Sequence, residues 1–144
     1  MKLRVEGAVA APREFTFADL AALPQAEVAT RIPGRDGTAV PLRALLEAAG
    51  ASPEARYATI ASDNGDFALS LPLADIADNA LVAYRLGDGP LPDAKGGPAR
   101  FYVIDFGACG TGEVDACANV KRLGLIRLTA AREHDVGHHH FPKT

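Results

Sequence analysis

Two short pieces near the C-terminus, "GGPARFYVID" (Gly96–Asp105) and "NVKRLGLI" (Asn119–Ile126), decide how the rest of the chain is read. The first passes from Gly-Gly-Pro, a punctuation of the backbone, into Phe101, Tyr102, Val103 and Ile104, an aromatic and β-branched run that reads as a strand. In the second, continued by "RLTAAR" (Arg127–Arg132), the apolar positions Leu123, Leu125, Ile126 and Leu128 favour a strand over a helix. Gly124 weakens a helix further.

Between these pieces lies the insert "DFGACGTGEVDACA" (Asp105–Ala118), which holds both cysteines of the chain. Seven residues separate Cys109 from Cys117, unlike the spacing of zinc knuckles, and no second pair completes four ligands. A zinc site would have to recruit His134 or the His138–His140 run from the far tail, so no metal site is assigned. Gly107, Gly110 and Gly112 allow the loop to close in a disulfide, although a reducing compartment would keep it open. Asp105, Glu113 and Asp115 surround the thiols with negative charge, which raises a thiol's pKa and blunts its reactivity. The simplest reading is two unremarkable thiols on an exposed acidic loop.

Further outward, Leu3, Val5 and Gly7 alternate with Lys2, Arg4 and Glu6, as in a half-buried strand. "TFADLAALP" (Thr16–Pro24) reads as a short helix with Thr16 as N-cap and Phe17, Leu20 and Leu23 inward. "AEVATRI" (Ala26–Ile32) reads as a strand, followed by a turn at Pro33-Gly34 and Asp36-Gly37. "PLRALLEAAG" (Pro41–Gly50) is the clearest helix, with Leu42, Leu45 and Leu46 on one face and Gly50 as its stop. "RYATIASDNGDFALSLPL" (Arg56–Leu73) predicts a hairpin turning at Asn64-Gly65, with Asp63 and Asp66 solvated beside it. Pro72 opens a helical turn, and "ALVAYRLG" (Ala80–Gly87) is an apolar strand. Tyr57, Tyr84 and Tyr102 fall in strand-like runs, where the ring packs and the hydroxyl finds an edge. No nucleophile elbow, phosphate-binding glycine loop or HExxH stretch is present.

A chain of 144 residues with 48% apolar and 23% charged residues suits one globular domain. A formal charge of −3 without a basic patch argues against a nucleic-acid partner, and no apolar run is long enough for a membrane helix. Neither a signal peptide nor a membrane partner is expected, so the expected location is cytoplasmic. Sheet strands interrupted by short helices indicate α+β: a single domain, residues 1–131, with a mixed, largely antiparallel sheet and short peripheral helices. Residues 132–144 read as a polar, flexible tail.

The ordered set of "LRVEGAVAAPREFTFADLAALPQAEV", "VPLRALLEAAG", "GGPARFYVID" and "NVKRLGLI" resembles the oxidoreductase molybdopterin-binding domain, the sulfite-oxidase-like fold. The resemblance spans Leu3 to about Arg127, and it implies a pocket for a pyranopterin dithiolene cofactor. It places Arg100 at the family's phosphate-binding arginine and Lys121 at its lysine. Lys95 falls where better-known members carry a histidine. A planar guanidinium fork suits a phosphate.

The departures bear on activity. Active members hold molybdenum through a cysteine between the second strand and the Leu-rich helix, and the matching interval, "TRIPGRDGTAV" (Thr30–Val40), has none. Arg31 and Arg35 stand there as potential anion contacts, and Arg122 replaces a large aromatic residue. The resemblance therefore implies a homologue that binds molybdopterin or a small anion through Lys95, Arg100 and Lys121 without ordinary sulfite-oxidase activity. Its catalytic residues are unknown. The alternative is a non-enzymatic module using the same scaffold for a protein partner.

Overall fold

A computed structural model describes residues 2–32, 34–65, 67–104 and 119–133. In chain order the elements are β1 (Leu3–Gly7), β2 (Arg13–Phe15), α1 (Phe17–Ala21), β3 (Ala26–Glu27), α2 (Val28–Arg31), β4 (Thr38–Pro41) and α3 (Leu42–Ala49). Then follow β5 (Tyr57–Ser62), β6 (Ala68–Pro72), α4 (Leu73–Ile76), β7 (Ala80–Leu86), β8 (Gly89–Pro90), a 3-10 turn at Asp93–Lys95, β9 (Arg100–Val103), β10 (Asn119–Val120) and β11 (Leu123–Thr129).

The strands form two sheets. One runs β2-β1-β11-β5-β6, where β1 and β11 are parallel and every other pair is antiparallel. The other runs β10-β9-β7-β4-β3, with β8 attached to β7, and is antiparallel throughout. The expected α+β class and largely antiparallel pairing thus hold, distributed over two sheets. The main core lies where Leu3, Val5, Phe15, Ile60 and Ile126 of the first sheet meet Val82, Tyr84, Phe101 and Val103 of the second. The buried face of α3, Leu42, Leu45, Leu46 and Ala49, joins the same core, and Gly50 ends that helix as expected. Thr16 caps α1, its hydroxyl accepting from the Asp19 N–H while the Asp19 carboxylate accepts from the Thr16 N–H. Tyr84 is fully buried and its hydroxyl donates to Gln25 Oε1 at 2.5 Å, so its polar end is satisfied.

"AEVATRI" departs from the single strand its composition suggests. Only Ala26 and Glu27 pair with β4, and the chain then winds into α2. Val28 explains the change: its N–H donates to Gly37 O at 2.9 Å, and its buried side chain enters a second apolar cluster with Ala39, Leu81, Ala83, Leu91 and Tyr102. Winding at this point lets a short segment cover that outer cluster. The Asn64-Gly65 turn forms as expected, but Asp63 is not merely solvated, because its carboxylate accepts from Arg122 Nε at 3.1 Å. Asp66 lies outside the described residues.

Alternation on β9 sets up everything that follows. Phe101 and Val103 point into the main core, whereas Tyr102 joins the outer cluster, so Arg100, two residues before it, shares the outer face.

Candidate functional site

Arg100 is buried to 7% exposure, although it is the first residue of its strand and carries a charge. Its placement follows from the turn before it. Gly97 is pressed against the backbone of residues 91 and 92, where a Cβ would lie 1.7 Å from Leu91 O. Gly96 adopts φ +88, and a Cβ there would lie 2.7 Å from Arg100 Cδ and 3.1 Å from Lys121 Cγ. A residue without a side chain therefore leaves the space in which the Arg100 and Lys121 side chains come together. The next strand fastens this turn, since Arg122 N–H donates to Gly96 O and Leu123 N–H to Ala99 O, both at 2.8 Å.

The surroundings of Arg100 are unusual for a buried cation. Its Nη1 donates to Lys95 O at 3.0 Å, and its guanidinium lies 5.1 Å from the centre of the Tyr102 ring. The guanidinium of Arg35 lies 5.6 Å from the centre of the same ring. Burial pushes the Arg100 guanidinium below its ordinary pKa, and repulsion from Arg35 acts in the same direction against a favourable contribution from Tyr102. An arginine remains charged at neutral pH nonetheless. Two positive charges thus approach one aromatic ring, and the Lys121 side chain lies beside that of Arg100. Among the described residues, neither Arg35 nor Lys121 takes part in an ion pair.

The structure brings Arg100 and Lys121 together. The Lys95 backbone carbonyl accepts from Arg100, and the Lys95 side chain is exposed. Arg31, at the end of α2, is exposed, whereas Arg35 reaches Tyr102. Arg122, in place of the expected aromatic, bridges to Asp63 and, at 3.7 Å, to Asp93, and so ties the hairpin turn to the Gly96 turn. Cys109, Cys117 and His138–His140 lie outside the described residues. Sequence reasoning missed Tyr102 as a site residue and Gly96 as its organiser; the adjacent pair Gly96-Gly97 ahead of a strand was the available signal.

The family profile of the oxidoreductase molybdopterin-binding domain matches residues 38–134, more than half of the chain. The chain belongs to that family. Among solved structures it is similar to the sulfane dehydrogenase SoxCD from Paracoccus pantotrophus, with a TM-score of 0.66 at 22% identity. That match covers 91% of this chain and 38% of the other, so the chain spans well under half of the larger protein, and the likeness speaks to the fold. No curated protein matches the sequence. Among the described residues no helix is long and apolar enough to cross a membrane.

The donors at the Gly96 corner fit one end of the family's cofactor. The Arg100 and Lys121 side chains, packed against each other over Gly96, are of the kind that suits the phosphate of a pterin. Among the described residues no group of three or more His, Cys, Asp or Glu side chains could hold a metal ion. Nor does the Thr30–Val40 interval contain a thiol.

Proposed function

We propose that this domain binds the phosphate end of a molybdopterin-type cofactor, or a like anion, through Arg100 and Lys121 with Lys95 holding Arg100, and that it lacks ordinary sulfite-oxidase turnover. The observation that carries the reading is the buried Arg100 side chain meeting Lys121 across Gly96 on one face of the domain. Side chains directed to opposite faces would instead have favoured the partner-module reading. When bound, such a cofactor supplies the redox chemistry, and the protein's part is to bind and orient it. Arg100 is preset by the Lys95 carbonyl and the Tyr102 ring, so little side-chain freedom is lost when an anion arrives.

The test has two arms. Calorimetric titration of the full chain with a pterin monophosphate should show binding that Lys121→Gln weakens; absence of binding overturns the site. Metal analysis of protein produced with molybdate, combined with an acceptor-reduction assay, addresses activity, and stoichiometric molybdenum with turnover overturns that part.

A second reading, a non-enzymatic module that docks a protein partner, draws on a surface groove of about 580 Å³ walled by Leu46, Ala51, Ala55, Leu73 and Ala77 with Arg56 at its edge. If the anion site fails its titration, this groove becomes the better candidate surface.

A further inference from the structure

The hairpin tip between β5 and β6 is fixed on one side and open on the other. Asp63 is the fixed side. Its N–H donates to Arg122 O at 2.6 Å, its carboxylate accepts from Arg122 Nε at 3.1 Å, and a Cβ on Gly124 would lie 2.5 Å from Asp63 Cα. Asn64 and Gly65 are the open side: Asn64 is exposed, Gly65 turns the chain at φ +77, and a Cβ on Gly65 would meet nothing within 4 Å. A glycine after an asparagine leaves the following backbone nitrogen unhindered, and a tip without packing changes shape at little cost to the core. The Asn64 carbonyl is also placed for attack. Its Oδ1 accepts from the Ser62 hydroxyl at 2.8 Å, closer than the 3.3 Å between that hydroxyl and Phe67 O. A donor at a carbonyl oxygen stabilises the negative charge that gathers there when a nucleophile adds to the carbon. Of the other asparagines, Asn79 precedes Ala80 and Asn119 precedes Val120, both buried in strands, so Asn64 alone is followed by glycine.

We propose that Asn64 is a modification site at which the chain deamidates spontaneously, with the Ser62 hydroxyl promoting the reaction. The Gly65 backbone nitrogen gives its proton to solvent base and bonds to Asn64 Cγ, while Ser62 donates to Oδ1 as charge gathers on it. The Cγ–Nδ2 bond then breaks, ammonia leaves, and a cyclic succinimide joins residues 64 and 65. Water opens the ring at either carbonyl. Opening at Cγ gives aspartate, and opening at the backbone carbonyl gives isoaspartate, whose main chain runs through Cβ and Cγ. The balance needs no oxidant: amide and water become carboxylate and ammonia. In the resting turn the Gly65 N–H donates to Ser62 O at 3.1 Å, so the tip opens before the nitrogen attacks. The new carboxylate follows Asp63 in the chain, whose own carboxylate already serves Arg122.

The full chain, held folded in mildly alkaline buffer, should gain the mass of an amide converted to an acid. Peptide mapping should place the change at Asn64, an isoaspartyl methyltransferase should label the isoaspartate fraction, and Asn79 and Asn119 should stay intact over the same period. Asn64→Gln, whose longer side chain closes a less favourable ring, should not convert at this position. Ser62→Ala tests the promoting hydroxyl, with circular dichroism to confirm the fold. Its conversion should be slower than the parent's by about threefold or more, the order expected from losing one hydrogen bond to the reacting carbonyl. A purely structural Ser62 gives the opposite sign, because its hydroxyl also accepts from the Phe67 N–H at 3.1 Å and its removal loosens the turn. In urea, where the turn is gone, parent and Ser62→Ala should convert at one rate. A folded Ser62→Ala variant that converts as fast as the parent, or faster, overturns the role of Ser62. An Asn64 that stays intact in the folded protein while converting in urea overturns the site itself.

Discussion

Arg127 and Arg100 are both arginines on sheet strands, and the fold treats them in opposite ways. On β11, Arg127 donates from Nε to Glu6 at 2.9 Å and from Nη1 to Glu133 at 3.4 Å, and Glu6 also accepts from Arg4. The Glu133 carboxylate accepts from the Thr59 hydroxyl, and the Glu133 N–H donates to Ser70 Oγ, so the segment after β11 is fastened across β5 and β6. Pairing with Glu6 raises the pKa of Arg127, whereas burial lowers that of Arg100. One cation is settled by carboxylates and contributes to the fold. The other donates to a carbonyl and lies over a ring that a second guanidinium also approaches.

The largest effect comes from breaking the backbone that makes the second arrangement possible. In Gly97→Ala a Cβ would lie 1.7 Å from Leu91 O, and a backbone atom cannot swing aside as a side chain can. The variant should lose about 3 kcal/mol or more of stability in urea unfolding, as overpacking against main chain does. A loss below about 1 kcal/mol would mean that the corner tolerates rearrangement and that its geometry is not fixed by Gly97.

Replacing each arginine by methionine, which keeps much of the side-chain length, sharpens the contrast directly. Arg127→Met should cost about 1 kcal/mol, because it removes the cation that Glu6 and Glu133 share at a partly exposed site. Arg100→Met should lose anion binding. Urea unfolding checks the first variant, and titration with a pterin monophosphate, with circular dichroism to confirm the fold, checks the second. An Arg100→Met variant that binds as the parent does would remove Arg100 from the site.

Much of this fold was legible because its signals are local. Thr16 and Asp19 announce the start of α1, the leucines of α3 repeat with helical spacing, and Asn64-Gly65 marks a turn. Val28 was misread because its alternation with neighbours suits a strand, and only the tertiary cluster around Leu81 and Tyr102 makes winding preferable. The site was half legible for the same reason. Arg100 and Lys121 stand within recognisable segments, but the meeting of Arg35 with Tyr102 joins residues far apart in sequence through β4, β7 and β9. No local pattern encodes it.

Acid offers the smallest and most selective test of the contrast. Hydrogen bonds from Arg4 and then Arg127 hold the Glu6 carboxyl below its ordinary value of 4.5 in the folded protein, with burial working weakly against them. A depressed folded pKa means that the carboxylate contributes stability above its unfolded value, and that this contribution is lost as pH falls through the lower folded value. The parent should therefore lose part of its stability on going from neutral pH to well below 4.5, and Glu6→Gln should lose less over the same interval. The variant is weaker than the parent near neutrality and the gap between them narrows in acid. Urea midpoints at the two ends of the interval measure this, and a gap that stays constant would show that the Glu6 charge adds nothing to stability.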